Sequence, residues 1–201
     1  MLRYSYTLFA PIYDALVAPF TVAARRRSLE QLPAESVADA LLIGVGSGLD
    51  FPWLPRGPRY TGLDLTPAML ARARRKARAS GLEIHLDGGD ARRLPYDDAA
   101  FDAVVLHLIL AVTPHPERVL LEAARVLRPG GRMLIFDKFL RADQRAPVRR
   151  WLSPLLGLLA SRTDVVFEQV LAHTPSLTVL SDQPALAGGW FRHITLRKAR
   201  A

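Results

Sequence analysis

The chain has 201 residues, half of them hydrophobic and 23% charged, which is enough for one domain with a sizeable core. It has no cysteine, so disulfides, thiolate metal sites and a cysteine nucleophile are excluded, and a cytoplasmic setting is the simplest expectation. A net charge of +8, carried by 24 Arg and three Lys, predicts attraction to anionic surfaces; with no aromatic-interleaved basic motif, a membrane or an acidic substrate ranks above nucleic acid.

Residues 1–35 read as helical, with breaks at Pro11 and Pro19. The apolar run 39–44 (DALLIG) predicts a buried strand. A second strand is expected at 59–65, then a helix from Pro67 to Ser80, opened by Pro67 and stopped by Gly81. Segment 82–86 predicts the third strand, and 101–110 begins as the fourth, with His107 following it. An amphipathic helix at 116–127 is stopped by RPGG, and 132–139 is the fifth strand. Strands alternating with helices imply a mostly parallel sheet with helices on both faces. The last two strands, 176–182 and 189–198, are joined by too few residues for a parallel crossover and are expected to pair antiparallel. The reading is an α/β domain of seven strands over 36–201, preceded by a helical segment over 1–35. No apolar stretch approaches the roughly 20 residues that span a bilayer.

LLIGVGSGLD (41–50) places Gly44, Gly46 and Gly48 just where the first strand ends. Glycine there permits a tight turn and lets a ligand lie directly on the backbone. The dinucleotide fingerprint G-x-G-x-x-G is not met, because Leu49 stands at its third glycine. Asp64 ends the second strand, where a carboxylate can accept both hydroxyls of a ribose. Together these features indicate a nucleoside without requiring a pyrophosphate.

Over roughly 10–140 the chain resembles the class I S-adenosylmethionine-dependent methyltransferases. LLIGVGSG, GLDLTPAMLARAR, GGDARRLPYDDAAFDAVV and EAARVLRPGGRMLIFD are similar to that family's motifs, in the family's order. The resemblance implies a Rossmann-like fold with S-adenosyl-L-methionine as cofactor. Gly44, Gly46 and Gly48 would wrap its methionine part, Asp64 the ribose, and Leu65 and Met69 would lie near the adenine. Asp90 would contact the adenine, with Ala91 beside it. In one departure, Leu42 stands where many members carry an acid, which leaves the cofactor's ammonium to backbone carbonyls. APIYD (10–14) followed by ARRRS (24–28) resembles quinone and phospholipid methyltransferases. With LLIGVGSGLDFPWLP, HLILAVTPHPE and RVLRPGGRMLIFDKF, it is most similar to bacterial phosphatidylethanolamine N-methyltransferases. That resemblance implies that 1–35 lids the cofactor, with Tyr13 at the methionine end.

Methyl transfer from a sulfonium is an in-line displacement with a neutral leaving group, so alignment and exclusion of water matter most. A base helps a phenol, a thiol or a protonated amine. Tyr13, His107 and Asp137 are the acceptor-side candidates, and His107 also stands where such a fold opens onto its cofactor. His85, His115, His173 and His193 lack ligand spacing, so no metal is expected. Asp87 and Asp102 read as caps or solvated groups, and Arg72, Arg74, Arg75 and Arg78 as a solvent face. The expected activity is methylation of a phospholipid amine or another lipophilic acceptor. Segments 8–27 and 148–160 would bind reversibly to an anionic membrane, at the inner surface. The alternatives are a soluble small-molecule N-, O- or S-methyltransferase and a non-catalytic, cofactor-binding regulatory module.

Overall fold

The computed structural model describes residues 19–140 and 165–200. Tyr13 and segment 148–160 lie outside the described residues. Seven strands form one sheet in the order β3-β2-β1-β4-β5-β7-β6. They are β1 Asp39–Ile43, β2 Arg59–Asp64, β3 Ile84–Gly88, β4 Phe101–His107, β5 Leu127–Lys138, β6 Leu177–Leu186 and β7 Phe191–Lys198. Strands β1 to β5 pair in parallel, and β7 inserts antiparallel between β5 and β6. Around the sheet lie α1 (19–29), α2 Pro67–Ser80, α3 Pro116–Val126 and α4 Phe167–Leu171.

The central strands are apolar without interruption because both their faces are covered. Leu41 and Ile43 of β1 pack with Val119, Leu120 and Ala123 of α3 and Phe167 of α4. Their neighbours Ala40 and Leu42 pack on the opposite side with Leu29 of α1 and Leu70, Ala73 and Ala77 of α2. Leu42, where the resemblance would lead one to expect an acid, is 2% exposed in that core. Helix α2 opens with Pro67 and closes on Gly81 at φ 63, whose N–H reaches the carbonyls of Ala77 and Arg78, a left-handed stop of the expected kind. Asp102 caps as expected, accepting the N–H groups of Ala38 and Asp39.

Several boundaries differ from the sequence reading. Strand β4 takes in His107, expected just after it, and stops there because Leu108 takes φ 58 and donates its N–H to the Phe136 carbonyl. Strand β5 begins at Leu127, not at 132; Leu127 pairs with Phe101, and the RPGG turn is absorbed in a register shift before pairing resumes at Arg132. Strand β6 runs to Leu186, four residues beyond expectation. Since β1 to β5 are parallel, Ile43, Asp64, Gly88, His107 and Lys138 all end on one edge of the sheet, the edge where open α/β sheets hold their ligands.

Candidate active site

Gly44, Gly46 and Gly48 leave β1 at φ 72, 54 and 81, but for different reasons. A Cβ at Gly44 would lie 2.5 Å from Ile109 Cδ1, and one at Gly48 would lie 2.6 Å from the Phe51 ring. These two glycines let protein pack against protein. A Cβ at Gly46 would meet nothing within 4 Å, so Gly46 presents bare backbone to open space.

The loop is tied to the end of β2. Leu63 O accepts the N–H groups of Gly44 and Val45 at 2.7 and 3.1 Å. Asp64 Oδ2 accepts the Gly46 N–H at 2.8 Å and Oδ1 the Thr66 N–H at 2.8 Å. Burial pushes the Asp64 carboxyl up, against the pull of these two amide donors. The Thr66 side chain also hydrogen-bonds to this carboxyl; with about four lone-pair sites on a carboxylate, Asp64 can hold the loop and still accept from a ribose. Beside it Leu65 is 47% exposed, while Met69 is buried beneath. Asp90, two residues past β3, is paired with Arg92, whose Nη2 lies 2.6 Å from Oδ2. That hydrogen bond holds the Asp90 carboxyl below its usual range, against a smaller effect of burial. Ala91 is partly buried against the core.

The two acceptor-side candidates within the described residues are both buried and both engaged. The His107 side chain is 1% exposed; its Nδ1 lies 2.9 Å from Asp50 Oδ1 and its Nε2 2.9 Å from Ser28 Oγ. Asp137 accepts the N–H groups of Ala111 at 3.1 Å and Lys138 at 2.8 Å. It thereby props up the turn after β4, in which Leu108 is strained; burial raises its carboxyl. In this arrangement neither side chain stands free at the edge to take a proton from an acceptor. Both are held by hydrogen bonds within the protein, at the carboxyl edge where the acceptor-side candidates were expected.

Sequence reasoning passed over Asp50, Arg25, Ser28 and Arg92. Arg25 Nη1 lies 2.9 and 3.0 Å from the two Asp50 oxygens. Burial raises the Asp50 carboxyl, but Arg25 and His107 together outweigh it and hold the group well below the usual carboxylate range. A signal was present. Thr21, Ala24, Arg25, Ser28, Leu29 and Leu32 recur at helical spacing and are all buried, so Arg25 stands inside the apolar stripe of its helix. Of the ARRR run, Arg25 therefore belongs to the interior. Arg26 pairs with Glu30 and lies 5.5 Å over the Trp53 ring.

The strand order, the glycine turn with its one bare face, and the ribose-ready carboxylate define a class I S-adenosylmethionine-dependent methyltransferase fold, and the residues present fit that cofactor. The family model that matches is the methyltransferase domain, over residues 41–135. The chain is 36% identical to a phosphatidylethanolamine N-methyltransferase of Cereibacter sphaeroides over 197 residues, covering 96% of each chain. It is 35% identical to a demethylmenaquinone methyltransferase of Thermus thermophilus over 139 residues, covering 66% of this chain and 63% of that one. Among solved structures, the [4+2]-cyclase SpnF superposes with a TM-score of 0.81 at 18% identity, covering 100% of this chain and 96% of that one. Mitomycin 7-O-methyltransferase MmcR superposes at 0.74 and 21%, covering 98% and 60%. A cyclase among these structures shows that the fold alone does not fix the reaction; the sequence likeness does that. The chain belongs to the S-adenosylmethionine-dependent methyltransferases.

When bound, the cofactor supplies an electrophilic methyl group on a sulfonium. The chain's part would be to hold and to exclude: the Gly44–Gly48 backbone and Asp64 would bind it, Leu65 and Met69 would lie near its adenine, and Asp90 would accept a hydrogen bond from it. Leu108 and Ile109, both half-buried, follow β4 at the same edge, where apolar side chains would help to exclude water from a displacement that passes the sulfonium's positive charge to the acceptor.

Proposed function

We propose that this methyltransferase acts on the amine nitrogen of a phospholipid such as phosphatidylethanolamine. The observation that carries the reading is the likeness to the Cereibacter sphaeroides enzyme along 96% of both chains, where the Thermus thermophilus quinone enzyme matches 66% of this one. The chemistry agrees. An amine that has given its proton to water attacks through its own lone pair, and so suits a site whose buried His107 and Asp137 are already engaged. In this reading the segment ahead of residue 19 closes over the cofactor. The cationic side chains of α2, of which Arg74, Arg75 and Arg78 are exposed, favour an anionic bilayer by about 1 kcal/mol each. No helix among the described residues is long and apolar enough to cross a membrane.

The test is methyl transfer from labelled S-adenosylmethionine to three acceptors in parallel: phosphatidylethanolamine vesicles doped with anionic lipid, a demethylated naphthoquinol, and soluble ethanolamine or phosphoethanolamine. Label in the phospholipid, with co-sedimentation that weakens as salt is raised, is the expected result. Label confined to the quinol or the soluble amines would overturn the lipid amine as acceptor. Saturable cofactor binding with no turnover on any acceptor would instead mark a regulatory module.

A further inference from the structure

We propose that Asp50 is a positioning residue through which helix α1 sets the glycine loop for its cofactor. The inference rests on the cofactor and not on the acceptor. Asp50 lies two residues beyond Gly48, at the exit of the loop. It is 5% exposed, and its partners Arg25, Ser28 and His107 are 6%, 2% and 4% exposed.

These four side chains form a closed circuit over three elements. Arg25 of α1 donates to both Asp50 oxygens. Asp50 Oδ1 also meets His107 Nδ1 at the end of β4. His107 Nε2 returns to Ser28, one helical turn along α1 from Arg25. An ionised carboxylate only accepts, so Nδ1 carries the proton, and in the neutral ring Nε2 accepts the Ser28 hydroxyl. Helix α1 is thus gripped at two points a turn apart, from the β1 loop and from the end of β4. Two such points fix both its rotation and its position along the axis. Two outer contacts act in the same sense: His193 Nε2 lies 2.9 Å from the Ala24 carbonyl oxygen, and Arg26 lies over Trp53.

The grip reaches the cofactor cradle through the next residue. Phe51 follows Asp50, donates its N–H to the Gly48 carbonyl at 3.3 Å, and sets its ring under Gly48, where a Cβ would stand 2.6 Å away. Gly48 in turn donates to Val45 across Gly46. A shift of Asp50 therefore moves the floor of the one turn that presents bare backbone. The circuit makes the seating of α1 and the shape of the cradle one event, although neither Asp50 nor Arg25 need touch the ligand.

The experiment compares the wild-type chain with Asp50→Asn, Arg25→Lys and Ser28→Ala. It measures S-adenosylhomocysteine affinity by calorimetry, KM and kcat for S-adenosylmethionine, melting temperature, and hydrogen exchange in 44–54. Asp50→Asn is expected to weaken binding by about tenfold or more, raise KM more than it lowers kcat, and speed exchange in 44–54. Arg25→Lys, which keeps the charge but loses the fork, should fall between it and wild type. If Asp50→Asn does not fold, Ser28→Ala decides, with the same direction expected on binding and exchange. A folded Asp50→Asn or, in its absence, Ser28→Ala with wild-type affinity and wild-type exchange in 44–54 would overturn the proposal, whatever its melting temperature. Failure of the wild-type chain to bind S-adenosylhomocysteine would instead strike the cofactor assignment, so the two failures are distinguishable.

Discussion

Alanine at each of the three loop glycines separates packing from ligand contact. All three positions have positive φ, where an L-residue costs about 1–2 kcal/mol. The stiffer unfolded chain returns about 0.4–1 kcal/mol of that. At Gly46 this is the whole cost, because the added methyl meets nothing within 4 Å. The net loss is about 1 kcal/mol, or roughly 2–4 °C in melting temperature for a chain of this size. At Gly48 the methyl would stand 2.6–2.7 Å from two ring atoms of Phe51, and overpacking adds about 1–3 kcal/mol. At Gly44 the nearest atom is the mobile end of Ile109, so the cost should be intermediate. Cofactor affinity should follow a different order. Gly46→Ala puts its methyl where the ligand must touch backbone, and should lose at least about tenfold in S-adenosylhomocysteine affinity, near 1.4 kcal/mol. Differential scanning calorimetry and titration calorimetry on the same three variants measure both. A Gly46→Ala protein that melts slightly early and binds as tightly as wild type would refute the assignment of that open face to the cofactor.

Three other outcomes are expected. Asp64→Ala removes a carboxylate that holds the Gly46 and Thr66 amides and would receive the ribose; titration should show about 1.5–3 kcal/mol less S-adenosylhomocysteine affinity, and wild type should show no saturable NAD binding. Asp50 has a folded-state carboxyl below its ordinary value of 3.8, so its stabilising contribution is present above that pH and is lost as pH falls through the folded value; the stability gap between wild type and Asp50→Asn, from urea unfolding, should be constant near neutrality and narrow below about pH 4, and a gap unchanged down to acid would contradict the ion pair. Deleting residues 1–18 leaves Thr21, Arg25 and Ser28 in place, so the shortened chain should fold with a melting temperature within a few degrees of wild type while methyl transfer is largely abolished; full activity would rule out closure by that segment.

How much of this was legible depended on whether a local pattern reported on its own surroundings. The sheet was: DALLIG and FDAVVLH are apolar at consecutive positions because both faces of β1 and β4 are covered, and no distant partner need be known to read that. Gly81 and Pro67 likewise act within one turn of themselves. The exit from β4 and the start of β5 were not legible. Leu108 turns out of the sheet because Phe136 offers a carbonyl and Asp137 props up the turn, groups nearly thirty residues away. Asp64 was found because a strand-end carboxylate after a glycine turn has a known use, but its second task, holding the loop through the Gly46 amide, needed coordinates.

The arginines show the limit most plainly. Three consecutive guanidinium groups in ARRR read as one cationic patch, since charge is counted by residue. A helix distributes neighbours about 100° apart, so the three cannot share a face. Arg25 falls on the stripe with Ala24, Ser28 and Leu29 and is neutralised inside by Asp50. Arg26 and Arg27 fall outside it and are exposed. The sequence therefore overstates the charge that this segment offers a membrane. By the same argument it understates α2, whose Arg74, Arg75 and Arg78 stand exposed on a helix that carries no acidic residue. If an anionic surface is met, α2 contributes more of the attraction than the run that first suggested it.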